Sequence, residues 1–387
     1  MTRGFNTRAV QEGEVKDKQV GNVITPIFEN STFITPNEAS GAAVDHSTGK
    51  PFLYTRVGNP TLEALERKYA ALDMVDSALS FSSGMAAIST TMLSMLKTGD
   101  RLLSVSDLYG ETLTLFKKTL KSFGIETDFV SLDNLNKANL DFRKYRAVFT
   151  ESILNPTMGV SDIRSLGKVL LETGTPLIVD ATFASPFNQN PTKLGASISV
   201  HSGTKYIGGH SDIILGLAGF SSGYMKEISA MRKNLGGVPD PIQAFLGLRG
   251  IKTLGLRMKA HNENAMKIAS FLEQHQQVVK VNYPGLESSK YHEIAERNLT
   301  GFGGMISFEL KDGISGARKM MSRMTLGAMA PSLGGVETLV TLPSDTSHAS
   351  LSPEDRKAVG ISEGLIRLSV GIEEAEDLIE DFQMALS

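Results

Sequence analysis

The sequence predicts an α/β protein, with a mostly parallel sheet in a large domain and a smaller C-terminal α+β domain. Its 387 residues, 41% of them hydrophobic, are too many for one ordinary core, so two domains are expected. Strand-like apolar runs alternate with helix-like runs from residue 78 to residue 221, as in sheets whose parallel strands are joined by helices. After residue 239 a long helical stretch and more widely spaced strands replace this alternation.

The N-terminal segment, residues 1–55, is predicted to be an irregular arm. Its short apolar pieces are interrupted by glycine and proline, which are typical of turns and loops. These interruptions are Gly13, Gly21, Pro26, Pro36, Gly41, Gly49 and Pro51. An arm of this kind usually wraps around another part of the protein or a partner. The rest of the chain is predicted to divide into a large domain at 56–240 and a C-terminal domain at 241–387.

The individual elements follow from apolar runs and helical periodicity. In the large domain, strands are predicted at 78–81, 102–105, 126–130, 147–151, 176–180, 197–201 and 214–221. Helices are predicted there at 84–96, 112–122 and 163–172. In the C-terminal domain, one long helical stretch is predicted from 241 to 274, strands at 278–283, 305–310 and 365–370, and a closing helix from 373.

Composition excludes several classes of function. Lysine and arginine number 39 against 42 for aspartate and glutamate, and no long run of one sign forms a stripe for nucleic acid. The chain has no cysteine, which excludes disulfides, zinc–thiolate sites and a cysteine nucleophile. The polar start resembles no secretory signal, and no apolar run approaches the roughly 18 residues of a membrane helix. We therefore expect a soluble, cytoplasmic protein.

A candidate phosphate site lies at residues 82–87, SSGMAA, where a predicted strand runs into a helix. The free backbone N–H groups and the positive end of such a helix attract an anion. By themselves these residues favour a plain helix cap, because serine and glycine are common caps.

Two further candidates follow later strands. Asp180 ends the apolar run 177–180, and ligands of open α/β sheets lie beyond the carboxyl ends of strands. A carboxylate there could keep a pyridine nitrogen protonated, although it could also cap the next turn. Lys205 follows Ser202 and Thr204, whose hydroxyls could bind a phosphate. A lysine amine forms Schiff bases when its surroundings lower its pKa, whereas a single lysine is usually a solvated surface residue. The helix start at 82–87, Asp180 and Lys205 occur in this order in one chain. Together they favour a cofactor site over three unrelated structural roles.

Other enzyme classes fit the sequence less well. A nicotinamide dehydrogenase would need G-x-G-x-x-G between an early strand and helix, and a serine hydrolase of the α/β type would need G-x-S-x-G. Neither motif occurs. A non-catalytic binding protein on this fold would be colourless, whereas a conjugated cofactor joined to a lysine as a Schiff base would make the protein yellow.

Nine short segments occur in an order typical of one enzyme family. They are YTRVGNPT (54–61), SGM (83–85), DLYG (107–110), ES (151–152), NP (155–156), SGTKY (202–206), SLGGVE (332–337), SHAS (347–350) and IRLSVG (366–371). From about Asn6 to its end, the chain resembles the Cys/Met-metabolism family of pyridoxal phosphate-dependent enzymes. The resemblance implies fold type I of these enzymes and a homotetramer, built as a dimer of dimers, whose active sites are shared between subunits.

The resemblance also implies roles for the candidate residues. Lys205 would carry pyridoxal 5'-phosphate as a Schiff base, Asp180 would pair with the pyridine nitrogen, and Tyr109 would stack on the ring. The residues expected to hold the phosphate are Gly84, Met85, Ser202 and Thr204, joined by Tyr54 and Arg56 from a neighbouring subunit. The residues expected to bind the carboxylate of an amino-acid substrate are Arg367, Ser332 and Asn155.

The implied reaction is γ-elimination or γ-replacement on a sulfur-containing or homoserine-derived amino acid. The family members that fit best are methionine γ-lyase, cystathionine γ-lyase and cystathionine γ-synthase. O-acylhomoserine sulfhydrylase is an alternative. Cystathionine β-lyase is a weaker one, since bacterial β-lyases carry a tryptophan in the stretch matching 332–335 and this chain has none.

Three positions bear on the substrate. Cystathionine-using relatives often carry an acidic residue at the position of Leu53 and an arginine at that of Thr114, so the cavity edge is expected to be apolar and to favour methionine or a small acylhomoserine. Methionine γ-lyases usually carry a cysteine where this chain has Glu111. Glu111 is expected either to face solvent or to act as a new recognition group.

Overall fold

Two β-sheets organise the residues that the computed structural model describes, which are 3–16, 20–35, 49, 51–349 and 352–387. Residues 36–48 of the predicted arm lie outside the described ranges. One sheet has seven strands and the other five, and each has a hydrophobic core of its own. The prediction of an α/β protein with a large and a smaller sheet is therefore confirmed.

The larger sheet has the strand order β1-β7-β6-β5-β4-β2-β3. Its strands are β1 Ser77–Phe81, β2 Arg101–Val105, β3 Glu126–Val130, β4 Ala147–Glu151, β5 Leu177–Asp180, β6 Ile198–Ser202 and β7 Gly216–Phe220. Strands β3, β2, β4, β5 and β6, neighbours in that order, run parallel. Strand β7 pairs antiparallel with both β1 and β6. Every residue of β4 is buried because helices cover both faces of the sheet. The carboxyl ends of β4, β5 and β6 consequently lie side by side at one edge.

The smaller sheet has the order β10-β11-β12-β9-β8. Its strands are β8 Val278–Asn282, β9 Met305–Leu310, β10 Ala328–Met329, β11 Leu339–Thr341 and β12 Ile366–Ser369. The pairs are antiparallel except for β10 with β11. Strand β12 is central, and its alternate residues pack against Phe308 and Phe382 in the core.

The helices flank the two sheets. They are α1 Phe5–Gln11, α2 Pro60–Asp73, α3 Gly84–Met95, α4 Gly110–Thr114, α5 Leu120–Ser122, α6 Leu132–Asn136, α7 Ile163–Thr173, α8 Ser185–Asn188, α9 Met225–Leu235, α10 Pro241–Ile251, α11 Leu254–Gln274, α12 His292–Asn298, α13 Gly313–Arg323, α14 Pro353–Ala358 and α15 Ala375–Ala385. A π-helical segment, Leu115–Thr119, joins α4 to α5, so the helix predicted at 112–122 is present. Within the described ranges, no helix combines the length and the hydropathy needed to cross a membrane.

The long helical stretch predicted from 241 to 274 is present but interrupted, because the structure has two helices there. The carbonyl of Gly250 accepts hydrogen bonds from the backbone N–H of Thr253 at 3.2 Å and from Nη2 of Arg257 at 2.8 Å. These donors replace the N–H four residues ahead that a continuous helix would supply. The chain therefore turns at 252–253 and starts a new helix.

The N-terminal arm is also more regular than expected, because residues 5–11 form helix α1. Its Phe5 ring packs edge-on against Phe187 with 5.1 Å between the ring centroids.

The division of the chain at residue 240 stays a prediction. Helix α10 packs against α2, and its Ala244 and Leu248 belong to the hydrophobic core beneath the larger sheet. This packing favours a boundary later in the chain than residue 240.

Candidate active site

A cavity of about 770 Å³ opens at the carboxyl ends of β4, β5 and β6, between the larger sheet and the loop before β11. All of the predicted cofactor and substrate residues except Tyr54 and Arg56 line it. Those that do are Gly84, Met85, Tyr109, Asn155, Asp180, Ser202, Thr204, Lys205, Ser332 and Arg367. Residues far apart in the chain therefore meet in one place.

The start of helix α3 forms one wall of the cavity. Ser83 caps this helix, its Oγ accepting the N–H of Ala86 at 3.0 Å. A Cβ atom added to Gly84 would lie 2.9 Å from the Cβ of Ser202, so only glycine lets the helix start approach the end of β6 this closely. Free N–H groups at the first turn of a helix, beside a serine hydroxyl, suit a phosphate group.

The hydroxyl of Thr204, the other predicted phosphate ligand, already has partners. It accepts the N–H of Leu215 at 2.9 Å and donates to the carbonyl of Leu215 at 3.3 Å. A phosphate oxygen would have to replace the longer of these two hydrogen bonds.

Asp180 ends β5 beneath the cavity. Its Oδ1 accepts the N–H of Thr182 at 2.9 Å and the hydroxyl of Thr182 at 2.5 Å. The hydroxyl of Thr182 also accepts the N–H of Ser202 at 2.8 Å. Burial raises the pKa of Asp180, and a cation beside it would restore the charged form. A protonated pyridine nitrogen is such a cation, so this residue fits the predicted cofactor.

The amine of Lys205 also faces the cavity and donates to Oγ of Ser332 at 2.7 Å. Burial, followed by the positive charge of Arg367, lowers the pKa of Lys205 to about 8. Roughly a tenth of the amine is therefore in the neutral form that makes a Schiff base at pH 7, far more than for an ordinary lysine.

Arg367, on β12, presents a buried guanidinium to the same space. Its Nη1 donates to Oδ1 of Asn155 at 3.1 Å, and its Nη2 donates to the carbonyl of Ser332 at 2.9 Å. Among the described residues, no carboxylate forms an ion pair with it. A buried guanidinium with only neutral partners is costly unless an anion binds there, and a planar carboxylate suits its geometry.

Comparison with known proteins decides the family. The family model described as "Cys/Met metabolism PLP-dependent enzyme" matches residues 6–387. The chain belongs to this family. It is 43% identical over 386 residues to a cystathionine γ-lyase of Dictyostelium discoideum, with 99% of this chain and 97% of the relative covered.

Relatives with other names are similar to nearly the same degree. A cystathionine β-lyase of Lactococcus lactis subsp. cremoris is 41% identical (99% and 98% covered), and a methionine γ-lyase of Fusobacterium nucleatum subsp. polymorphum is 40% identical (99% and 98% covered). The solved cystathionine γ-synthase of Xanthomonas oryzae pv. oryzae matches with a TM-score of 0.91 at 35% identity, covering 100% of this chain and 98% of that one. The predictions of the family, of pyridoxal phosphate as cofactor and of an enzyme are confirmed.

Tyr54 and Arg56 lie away from the cavity of their own chain. Arg56 donates from Nη1 to the carbonyl of Lys233 at 3.0 Å, and its guanidinium lies 5.4 Å from the centre of the exposed Tyr54 ring. A single chain therefore does not bring them to its own site. Their expected contribution to the site of a neighbouring subunit stays a prediction.

The structure adds two residues that sequence reasoning did not assign. Thr182 links Asp180 to Ser202, and its hydroxyl two positions after the strand-end acid was a signal that could have been used. Glu151 is buried at the end of β4, and its carboxylate accepts backbone N–H groups from two loops of the site. Its position directly after a buried apolar run, as for Asp180, was the available signal.

The structure also locates the three specificity positions. Neither Leu53 nor Thr114 is among the described residues that line the cavity, whereas Glu111 is. The negative charge of Glu111 contributes, after burial, to the raised pKa of Tyr109.

Proposed function

We propose that this enzyme catalyses γ-elimination or γ-replacement on a sulfur-containing or homoserine-derived amino acid, with pyridoxal phosphate held by Lys205. One observation carries the proposal: a half-buried amine and a buried guanidinium, neither paired with an acid among the described residues, face the same cavity as the strand-end Asp180. When bound, pyridoxal phosphate supplies an electron sink that allows bonds at the substrate's α- and β-carbons to break.

The chain's own residues would position the cofactor and the substrate. Asp180 would hold the ring nitrogen, Tyr109 would lie against the ring, and the first turn of α3 with Ser202 and Thr204 would hold the phosphate. Arg367 would bind the substrate carboxylate through two parallel N–H bonds, and Asn155 keeps its guanidinium in place through the 3.1 Å bond. Together these contacts would hold the substrate in the cavity that the amine of Lys205 faces.

Two groups would move protons. The amine of Lys205, partly neutral because its pKa is about 8, would accept the proton from the α-carbon. Burial raises the pKa of Tyr109, which keeps its hydroxyl protonated and able to donate to the departing γ-substituent. Elimination and replacement use the same residues and differ in whether water or a thiol completes the reaction.

Cystathionine β-lyase remains the alternative, supported by the relative of that name at 41% identity. The products separate it from the main proposal, because β-elimination of cystathionine releases homocysteine and γ-elimination releases cysteine.

We also propose a cytoplasmic homotetramer with shared sites. The exposed Val23, Ile24 and Tyr54 of the N-terminal arm support an interface there, since exposed apolar surface marks sites of association.

Lys205→Ala tests the central proposal. We expect the purified variant to lose the visible absorption of the Schiff base between cofactor and lysine, and all measurable release of 2-oxo acid and ammonia. Its far-UV circular dichroism should match the wild type, because the phosphate and ring contacts remain. Near-normal turnover by this variant would contradict the proposal.

A further inference from the structure

Glu151 joins two loops of the active site through one carboxylate. Its Oε1 accepts the N–H of Tyr109 at 2.8 Å, and its Oε2 accepts the N–H of Asn155 at 3.0 Å. Tyr109 follows β2, whereas Asn155 follows β4 itself, so these bonds cross between separate strand ends. Glu151 is 5% exposed and does not need to touch a substrate to have this effect.

Each of the two loops carries a group that faces the cavity. The ring of Tyr109 lines it directly, and the side chain of Asn155 accepts the hydrogen bond from Arg367. The backbone position of Tyr109 sets where its ring lies. The backbone position of Asn155 sets where its amide oxygen holds the guanidinium. The geometry of both groups therefore depends in part on the same two carboxylate oxygens, beside the hydrogen bond that the hydroxyl of Thr157 donates to Asp107.

The carboxyl group of Glu151 also lines the cavity. It lies beside Asp180 in the parallel register of β4 and β5. Burial raises the pKa of Glu151 well above its usual value, and the neighbouring Asp180 raises it further. Among the described residues, neither acid has an ion-pair partner. A buried acid kept without a cation costs stability, and such groups concentrate at functional sites.

We propose that Glu151 is a positioning residue. It fixes the loop that carries Tyr109 relative to Asn155 and Arg367, the pair expected to bind the substrate carboxylate. The inference rests on the proposed function of the site. It assigns to one side chain a role in both cofactor stacking and substrate binding. No other described carboxylate accepts N–H groups from both loops.

Glu151→Gln tests the inference in the holoenzyme. A glutamine offers one acceptor oxygen, and its amide nitrogen would face the other N–H group, so one loop must lose its partner. We expect weaker visible circular dichroism of the bound cofactor and about tenfold weaker binding of L-norleucine, which has no γ-leaving group, measured by spectral titration. We also expect a lower kcat through Tyr109 together with a higher KM through Asn155.

Asp381→Asn is the matched control. Asp381 is 2% exposed, and its two carboxylate oxygens accept the N–H groups of Thr325 and Leu326 at 2.8 Å and 3.0 Å, away from the cavity. This variant should lower the melting temperature while leaving the cofactor signal and L-norleucine binding unchanged. If Glu151→Gln changes only the melting temperature, as the control does, the inference is wrong.

Two further measurements keep the test decisive. Should Glu151→Gln not fold, Glu151→Asp keeps the charge on a shorter side chain that cannot reach both N–H groups, and it should show the same spectral and binding losses. In an Asn155→Ala background, Glu151→Gln should raise KM by less than it does alone. A wild type without bound cofactor or γ-chemistry would refute the proposed function, whereas a normal wild type with unaffected Glu151 variants would refute this inference alone.

Discussion

The amine of Lys205 is held where its neutral form is favoured, first by burial and then by the charge of Arg367. Only the neutral amine attacks an aldehyde, and its population rises as the pH passes the pKa. We therefore expect the apoenzyme to capture pyridoxal phosphate at a rate that rises with pH to a midpoint near 8, followed by stopped-flow absorbance. Arg367→Gln should move the midpoint upward. A rate still rising above pH 10 would show an ordinary lysine.

Glu111 brings a negative charge to the cavity, where the sequence predicted an apolar edge. Its side chain is exposed, so a contact with a distal ammonium group is screened and contributes no more than about 1 kcal/mol. We expect Glu111→Gln to lower kcat/KM for cystathionine about three- to fivefold while leaving that for methionine nearly unchanged. Glu227→Gln, in the first turn of α9, removes an equivalent exposed charge and should change neither value. An unchanged cystathionine-to-methionine ratio in Glu111→Gln would show that this residue only faces solvent.

The place of a single residue in the site could be predicted where its neighbours in the sequence form a characteristic pattern. Asp180 and Lys205 stand at the ends of apolar runs beside characteristic residues, and the structure places both at the cavity. Glu151 has the same local pattern, yet its role depends on N–H groups of Tyr109 and Asn155. Which groups meet a side chain is set by tertiary structure, and a local pattern does not contain it.

At the scale of elements, the contact between α3 and β6 depends on the lack of a side chain at Gly84. Gly84→Ala would force its Cβ to within 2.9 Å of Ser202, so the helix start must move away from the strand end. We expect cofactor affinity to fall about tenfold, measured by equilibrium dialysis. Gly223→Ala is the control, because its Cβ would meet no atom closer than 3.9 Å. Equal affinities for the two variants would show that the close approach does not shape the phosphate site.

Elements with strong local signals were predicted well. Strands β3 and β4 have the expected bounds. β4 is buried along its whole length, as strands inside a parallel sheet are, whereas β3 lies at the sheet edge and is only partly buried. Helix α2 went unpredicted although Asn59 and Pro60 form a standard helix start. The break at 252–253 could not be predicted, since it depends on Arg257 binding a carbonyl of another helix.

At the scale of the whole molecule, the sharing of sites between subunits can be tested by complementation. Arg56→Ala should weaken cofactor retention, and Lys205→Ala should be inactive. If Arg56 serves a neighbouring site, subunits mixed after dissociation should regain activity, because some sites combine a native Lys205 with a native Arg56. A mixture no more active than its parents would show that each chain has a complete site. Sedimentation of the mixed sample provides the control for reassembly.

Helix α11 connects the two halves of the molecule. It is 21 residues long, about 30 Å, and it buries Leu254 and Met258 in the core of the larger sheet and Ile268 and Leu272 in that of the smaller one. One end of the helix is therefore packed into each of the two cores. A chimera that takes the C-terminal half of a relative from residue 240 onward would therefore pack a foreign α11 against the native core of the larger sheet. A crossover after Gln274 would take α11 and the core around Leu254 and Met258 from the same parent.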